Sequence, residues 1–177
     1  KKSMDTIIRQ VNNIENLVTE FSNFARMPEN KIQSVKLNKL IETQINTQKI
    51  ANESVKFLFT SKIKNLEIMC DYNQISRLFM NILKNSVESL KKTKKIKVNL
   101  FQKGKFVIIE IEDSGEGFSE NNRDKLFEPY ITKKIDGTGL GLAICKKIVE
   151  DHNGEIDLLD SSTLGGAMVR VKLYYKD

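Results

Sequence analysis

DGTGLGLAICKKIVEDHNG, Asp136 to Gly154, sets three glycines at alternate positions directly before an apolar, lysine-bearing segment with helical spacing. The chain has only nine glycines, so clustering Gly137, Gly139 and Gly141 points to a local backbone requirement. Glycine permits unusual backbone angles and close approach to an anion, and amides at a helix N-terminus can face negative oxygens. The stretch reads as a loop feeding a helix from about Leu140 to Asp151. The spacing alone is a weak signal: no GxxxxGK[ST] occurs, and the three glycines lack the GxGxxG phase of a dinucleotide turn.

Two upstream clusters change its weight. On a long helix, Asn81, Asn85 and Glu88 follow at spacings of four and three and share a face. Asparagine is a poor interior helix former, so two of them lose helical stability unless their amides meet something. An amide oxygen is a neutral, hard ligand suited to Mg²⁺; the bland reading is a polar surface. The second cluster, Asp113-Ser114-Gly115-Glu116-Gly117, ends an apolar strand. A carboxylate there can accept from an exocyclic amine while the small residues let the backbone turn around a flat ring; alone, it is only a turn. Asp113 comes 28 residues after Asn85, and Gly137 comes 24 after Asp113. Metal ligand, base reader and phosphate cradle thus appear in one order, on helix, strand end and helix start.

The rest of the chain supplies a scaffold. Met4, Ile7, Val11, Ile14, Val18, Phe21 and Ala25 step by three and four, a heptad-like seam on a helix about 35 Å long. Ile8, Leu17 and Phe24 widen the stripe toward a helical bundle; packing on the chain's own domain is the alternative. Pro28 disfavours helix at Met27 and closes the segment. After a polar link, Leu37 to Ala51 reads as a helix, with strands at Val55 to Thr60 and Leu66 to Cys70. Asp71 is a good N-cap for a helix burying Ile75, Leu78, Phe79, Ile82, Leu83, Val87 and Leu90. Ile96 to Phe101 and Phe106 to Glu112 form a hairpin. Gly115 to Asp136 is mostly loop with a short helical piece at Asp124 to Phe127, and strands follow at Glu155 to Leu159 and Ala167 to Tyr175. The sum is an α+β fold: a two-layer sandwich, a mixed sheet with helices on one face, preceded by a helical stalk.

The chain has 177 residues, 40% of them hydrophobic, enough for one core and an appendage. Nothing reaches the length of a membrane span, and the first residues lack the apolar core of a secretory signal. Cys70 and Cys145 lack metal-ligand spacing and fit a reducing cytoplasm. Net charge is +6, with lysines bunched at Lys91 to Lys97. Without arginine or aromatic interleaving, that run reads as a solvated turn, not a nucleic-acid patch. The abrupt start inside a helix suggests a piece of a longer protein.

With these clusters in order, the chain resembles the catalytic ATP-binding domain of sensor histidine kinases, within the superfamily shared with gyrase-type topoisomerases, mismatch-repair proteins and certain chaperones. NILKN at Asn81 to Asn85 matches the asparagine box, DSGEG at Asp113 to Gly117 the first glycine box, FEPY at Phe127 to Tyr130 the phenylalanine box, and GTGLGL at Gly137 to Leu142 the second glycine box. EFSNFARMP, Glu20 to Pro28, and YITKK before GTGLGL are similar to nitrogen-regulation sensor kinases of the NtrY/NtrB type. Tyr130 replaces a commoner phenylalanine, and Ala167 after Gly165-Gly166 leaves the last glycine box weak.

The resemblance implies a Bergerat-type ATP-binding fold over residues 37–177, a linker at 29–36, and the second helix of a dimerisation hairpin at 1–28. It implies ATP and Mg²⁺ as cofactors, with Asn85 holding the metal and Asp113 bonding the adenine amino group. Glu88, Gly115, Gly117, Phe127, Thr132, Gly137, Thr138, Gly139, Leu140 and Gly141 complete the cofactor pocket, and residues 118–136 act as a mobile lid. Lys133 is the candidate for a γ-phosphate contact, a solvated lysine being the alternative. Hydrolysing members of the superfamily carry a glutamate four residues before the metal asparagine; here that position is Asn81, and an amide cannot be a general base at neutral pH. Asn81, Asn85 and Lys133 are therefore the positions at the reaction centre, and phosphoryl transfer to a protein is favoured over hydrolysis. His152, the only histidine, sits in a turn resembling a structural one, so the acceptor histidine belongs to a helix outside this sequence. The expected partners are a response regulator and a second copy of the intact protein, with neither nucleic acid nor membrane touched by this segment, and the expected location is cytoplasmic, the parent protein being free or anchored in the inner membrane. Rival functions are an energy-transducing ATPase and a non-catalytic regulator-binding or dimerisation module.

Overall fold

The computed structural model describes residues 4–175 except 5–6, 9, 12–13, 16–17, 20, 23–25, 27–28, 65, 119–122, 133 and 135–136. Among the described residues, strands β1 (Ile32–Lys36), β2 (Lys56–Ser61), β3 (Glu67–Asp71), β4 (Lys95–Lys103), β5 (Phe106–Asp113), β6 (Glu155–Asp160) and β7 (Ala167–Tyr174) accompany helices α1 (Leu37–Ala51), α2 (Tyr72–Ser89) and α3 (Gly141–Asp151), with a 3₁₀ turn at Arg123–Phe127. Five strands form one mixed sheet in the order β2-β4-β5-β7-β6, parallel only between β2 and β4. The helices lie on one face of it, as the alternation requires: Ile96, Val98 and Leu100 of β4, Val107, Ile109 and Ile111 of β5, and Val169, Val171 and Leu173 of β7 are buried in the same core as Leu78, Ile82 and Leu83 of α2 and Ile144, Ile148 and Val149 of α3.

The other sheet face is a ladder of opposite charges. Arg170 meets Glu110 at 2.9 Å, Lys97 lies 3.7 Å from Glu112, and Lys172 reaches Glu155 and Asp157 at 2.8 and 3.1 Å. Such cross-strand pairs contribute roughly 0.2–1 kcal/mol each. Glu112 is buried and also accepts from the Ser161 and Thr163 hydroxyls, both at 2.7 Å, which ties the loop after β6 to the end of β5. Burial pushes its carboxyl up, but the two hydroxyls and Lys97 outweigh it and hold the group below its ordinary value of 4.5.

The polar link expected at residues 29–36 holds β1, which pairs antiparallel with β3 in a separate two-stranded sheet. Sequence pattern misses it because only Val35 of the strand is buried, so there is no apolar alternation to read. Asp71 caps α2 as expected, accepting from the Gln74 amide at 2.9 Å, and also accepts from the Lys31 amide at 2.7 Å. Burial raises its carboxyl, yet the amides of Gln74, Lys31 and Asn73 leave it below its ordinary 3.8. The Asp71 amide in turn donates to His152 Nε2 at 3.0 Å, so that nitrogen is an acceptor and Nδ1 carries the proton, donated to Ile148 O at 2.7 Å. One imidazole therefore ties the end of α3 to the start of α2. Both cysteines are buried, and burial pushes each thiol up to about 12.

All described residues from Met4 to Ser22 are helical, and the seam is exposed: Met4 at 68%, Val11 at 56% and Ile14 at 62%. Phe21 stacks on Tyr130, with ring centroids 6.5 Å apart. Pro28 and Met27, expected to close this helix, lie outside the described residues. No described helix is long and apolar enough to cross a membrane.

Two outcomes follow for stability. Asp71→Ala removes the α2 cap and the Lys31 contact and should lower unfolding free energy by about 1–2 kcal/mol in urea titrations. Because Asp71 and Glu112 are both held below their ordinary values, the stability they provide is present above that range and is lost as pH falls through the folded-state values. Melting temperature should therefore drop on acidification below about pH 4.5, and Glu112→Gln should make that drop shallower.

Candidate functional site

The constellation gathers around the C-terminal half of α2. Gly115, bridged to Leu90, lies so close to the end of this helix that a Cβ would stand 2.3 Å from Ser89 Oγ and 2.7 Å from Ser89 O. This contact brings the turn after β5 up to the helix turn that carries Asn85 and Glu88. Asp113, at the strand end and on the helix-facing side, is only 3% exposed. Its Oδ1 accepts from the amides of Gly115 at 2.9 Å and Ala167 at 3.2 Å, while Oδ2 takes no hydrogen bond among the described residues. Gly166 packs against the same carboxylate, and Gly117 faces the Gly166 backbone.

The glycine loop closes the other side. Gly139 has φ of +69°, and a Cβ there would lie 2.5 Å from the Tyr130 carbonyl carbon, so two strands of loop pass at van der Waals contact. The Tyr130 amide donates to Gly139 O at 3.1 Å, and Leu140, fully buried, anchors the start of α3. The Leu140 amide points at Thr138 Oγ1, 3.4 Å away. Gly141 opens α3 beside Asn85, with 3.7 Å between its Cβ position and Asn85 Nδ2. Phe127 is buried under the Lys146 ammonium, 5.5 Å from the ring centre.

Hydrogen bonds of a turn link Thr132, Lys134 and Gly137. Lys134 N donates to Thr132 Oγ1 at 3.1 Å and Gly137 N to Lys134 O at 3.2 Å. That turn delivers the Lys134 ammonium to Asn85 Oδ1 at 3.2 Å and to Glu88 Oε2 in a short charged contact. Lys133, the expected phosphate contact, lies outside the described residues, as does Asp136. A cation thus sits against the amide and carboxylate oxygens that the helix spacing singled out. This donor set of hard oxygens fits a small divalent ion, for which the ammonium is a stand-in. No cluster of three or more acidic, His or Cys groups suited to a metal occurs among the described residues, so a metal here would complete its shell from ligand and water.

Asn81 behaves differently from Asn85. Its amide nitrogen is buried without a well-formed hydrogen bond, beside the Cys145 thiol of α3. That nitrogen faces the contact between α2 and α3.

Sequence reasoning missed three residues that shape the site. Arg123 forks onto both Asp160 oxygens at 2.7 Å and onto Leu158 O at 3.1 Å, fixing the 3₁₀ turn to β6. Gly166 and Lys134 are the others; the Gly-Gly pair and the double lysine were their only signals. Two surface hollows of about 350 and 300 Å³ lie elsewhere, on the charged sheet face around Asn99 and between β1 and α1.

Comparison with known proteins gives a consistent picture. Residues 70–177 match the family described as histidine kinase-, DNA gyrase B-, and HSP90-like ATPase. The nitrogen regulation protein NtrY of Azorhizobium caulinodans is 36% identical over 177 residues, covering 96% of this chain and 23% of its own length. The chain spans about a quarter to a third of the length of the curated relatives it matches. The nucleotide-free catalytic domain of histidine kinase ThkA superposes with TM-score 0.74 at 28% identity, covering 83% of this chain and 99% of that one. Histidine kinase ThkA in complex with the response regulator protein TrrA has the same fold, with TM-score 0.81 at 23% identity, covering 99% of this chain and 51% of that one.

The Gly115 contact makes a sharp prediction. Gly115→Ala drives a methyl into Ser89 and should cost about 1–3 kcal/mol, read as a lower urea midpoint with unchanged slope.

Proposed function

Because the chain belongs to the histidine kinase-, DNA gyrase B- and HSP90-like ATPase family, we propose that it is the ATP-binding catalytic unit of a sensor histidine kinase and transfers the γ-phosphate to a protein histidine. One observation carries the reading: the Asn85 carboxamide oxygen, the Asp113 carboxylate and the Gly137–Gly141 loop converge on the C-terminal half of α2. In this reading Asp113 Oδ2 accepts from the adenine amino group while Oδ1 stays on its two amides. Gly115 and Gly117 leave room for the ring, and the loop through Thr138, Gly139 and Gly141 borders the phosphates at the start of α3. Magnesium, when bound, supplies charge neutralisation on the phosphates, held by Asn85 Oδ1 with Glu88 alongside. Lys133 remains the proposed γ-phosphate contact.

The acceptor is a histidine other than His152, whose two ring nitrogens are both engaged at the α2–α3 junction. Asn81 supports transfer over hydrolysis, since an amide held against Cys145 cannot take a proton from water. The exposed seam of the N-terminal helix supports pairing with a second copy of the intact protein, and residues 1–28 are its proposed dimerisation element, followed by the catalytic unit from 37. Relay to a response-regulator aspartate and a cytoplasmic setting complete the proposal.

Calorimetry with Mg-ATP tests the site. Asn85→Ala and Asp113→Asn should each weaken binding tenfold or more, the loss of one charge-assisted bond, with melting temperature recorded alongside. Unaltered affinity in both variants removes the site assignment. Adding a separate helical hairpin that bears an acceptor histidine, and following label from ATP, should give phosphohistidine on the hairpin and none on this chain.

A further inference from the structure

Lys134 stands out among the charged side chains because its partners are the two oxygens assigned to the metal. Its ammonium is 3.2 Å from Asn85 Oδ1 and in charged contact with Glu88, and the Thr132–Lys134–Gly137 turn aims it there. Lys84, one helical turn before Glu88, lies 4.0 Å from the same carboxylate, so Glu88 keeps a cationic neighbour when Lys134 departs. Asn85 Nδ2 faces Gly141, which turns the amide oxygen toward the ammonium.

We propose that Lys134 sets the metal dependence of nucleotide binding: its ammonium and the divalent cation hold the same oxygens in mutually exclusive states. The inference rests on Asn85 being the metal-holding residue. Two positive centres cannot share one amide oxygen and one carboxylate at contact distance without strong repulsion, so arrival of the metal requires departure of the lysine. Conversely, where no metal is present, the ammonium leaves positive charge beside the phosphate end of the site and supports metal-free nucleotide. The side chains of Lys134 and Glu88 are 45% and 38% exposed, so the competition is modest. Exposed ion pairs are worth up to about 1 kcal/mol, which corresponds to about a fivefold change in affinity.

The test compares the intact chain with Lys134→Met and Lys134→Arg, using a non-hydrolysable ATP analogue in Mg²⁺ and again in excess chelator. For Lys134→Met, affinity with Mg²⁺ should rise about three- to fivefold while affinity in chelator holds or falls, so the ratio of the two increases. Lys134→Arg, which keeps the charge, should return the ratio to within about twofold of the native value. A Mn²⁺ titration of the analogue complex, read by water-proton relaxation, should half-saturate at a lower Mn²⁺ concentration in Lys134→Met only. An unchanged or smaller ratio in Lys134→Met overturns the role of Lys134 and leaves the nucleotide site standing. Failure of the native chain to bind the analogue under either condition overturns both.

Discussion

The site depends on a buried carboxylate. Asp113 lies at the end of the central strand β5, 3% exposed, and is held there by two backbone amides, one from the adjoining turn at Gly115 and one from the distant strand start at Ala167. Burying a carboxylate is expensive unless its lone pairs are met, so the turn at Gly115 and the strand start at Ala167 must both stay in place for the fold to close. The neighbouring Glu112 makes this possible. Consecutive strand residues face opposite sides of the sheet, so Glu112 grips Ser161 and Thr163 from the charged face while Asp113 collects the Ala167 amide on the helix face. Two adjacent acids thus fix one loop from both sides of the sheet.

From that fixed point the rest of the site is assembled by close backbone approach. The Gly115 contact with Ser89 brings the β5 turn to the end of α2, and the Gly139 contact with Tyr130 folds the loop before α3 over the same helix. The polar groups are sparse: the Asn85 amide oxygen and the carboxylates of Glu88 and Asp113. Such an arrangement suits a ligand that brings its own negative charge and its own metal.

Much of this was legible in the letters. The helix from Leu37 to Ala51, the capped helix after Asp71 and the hairpin around Gly104 follow from apolar period and capping chemistry, and they match the observed elements closely. What escaped has specific causes. β1 carries one buried side chain, so its pairing with β3 is decided by main-chain bonding and leaves no hydrophobic trace. Ala167 looked like a weak departure from a glycine box, yet the group used there is its backbone N–H, which any residue but proline provides. Lys134 left no signal beyond the double lysine, because whether a loop side chain reaches a helix is set by bonds such as those at Thr132 and Gly137. Asn81 and Asn85 share a face by spacing, and the packing of α2 on α3 sets the amide nitrogen of the first beside Cys145 and that of the second beside Gly141.

The His152 bracket has a practical side. A chain with a single histidine yields one set of imidazole resonances in a histidine-labelled sample. That set originates where Asn30, Asp71 and the last turn of α3 meet, at the entry of the segment leading out of the N-terminal helix. The ring is therefore a native spectroscopic probe of the junction among Asn30, α2 and α3, positioned at the end of α2 remote from Asn85 and needing no engineered tag.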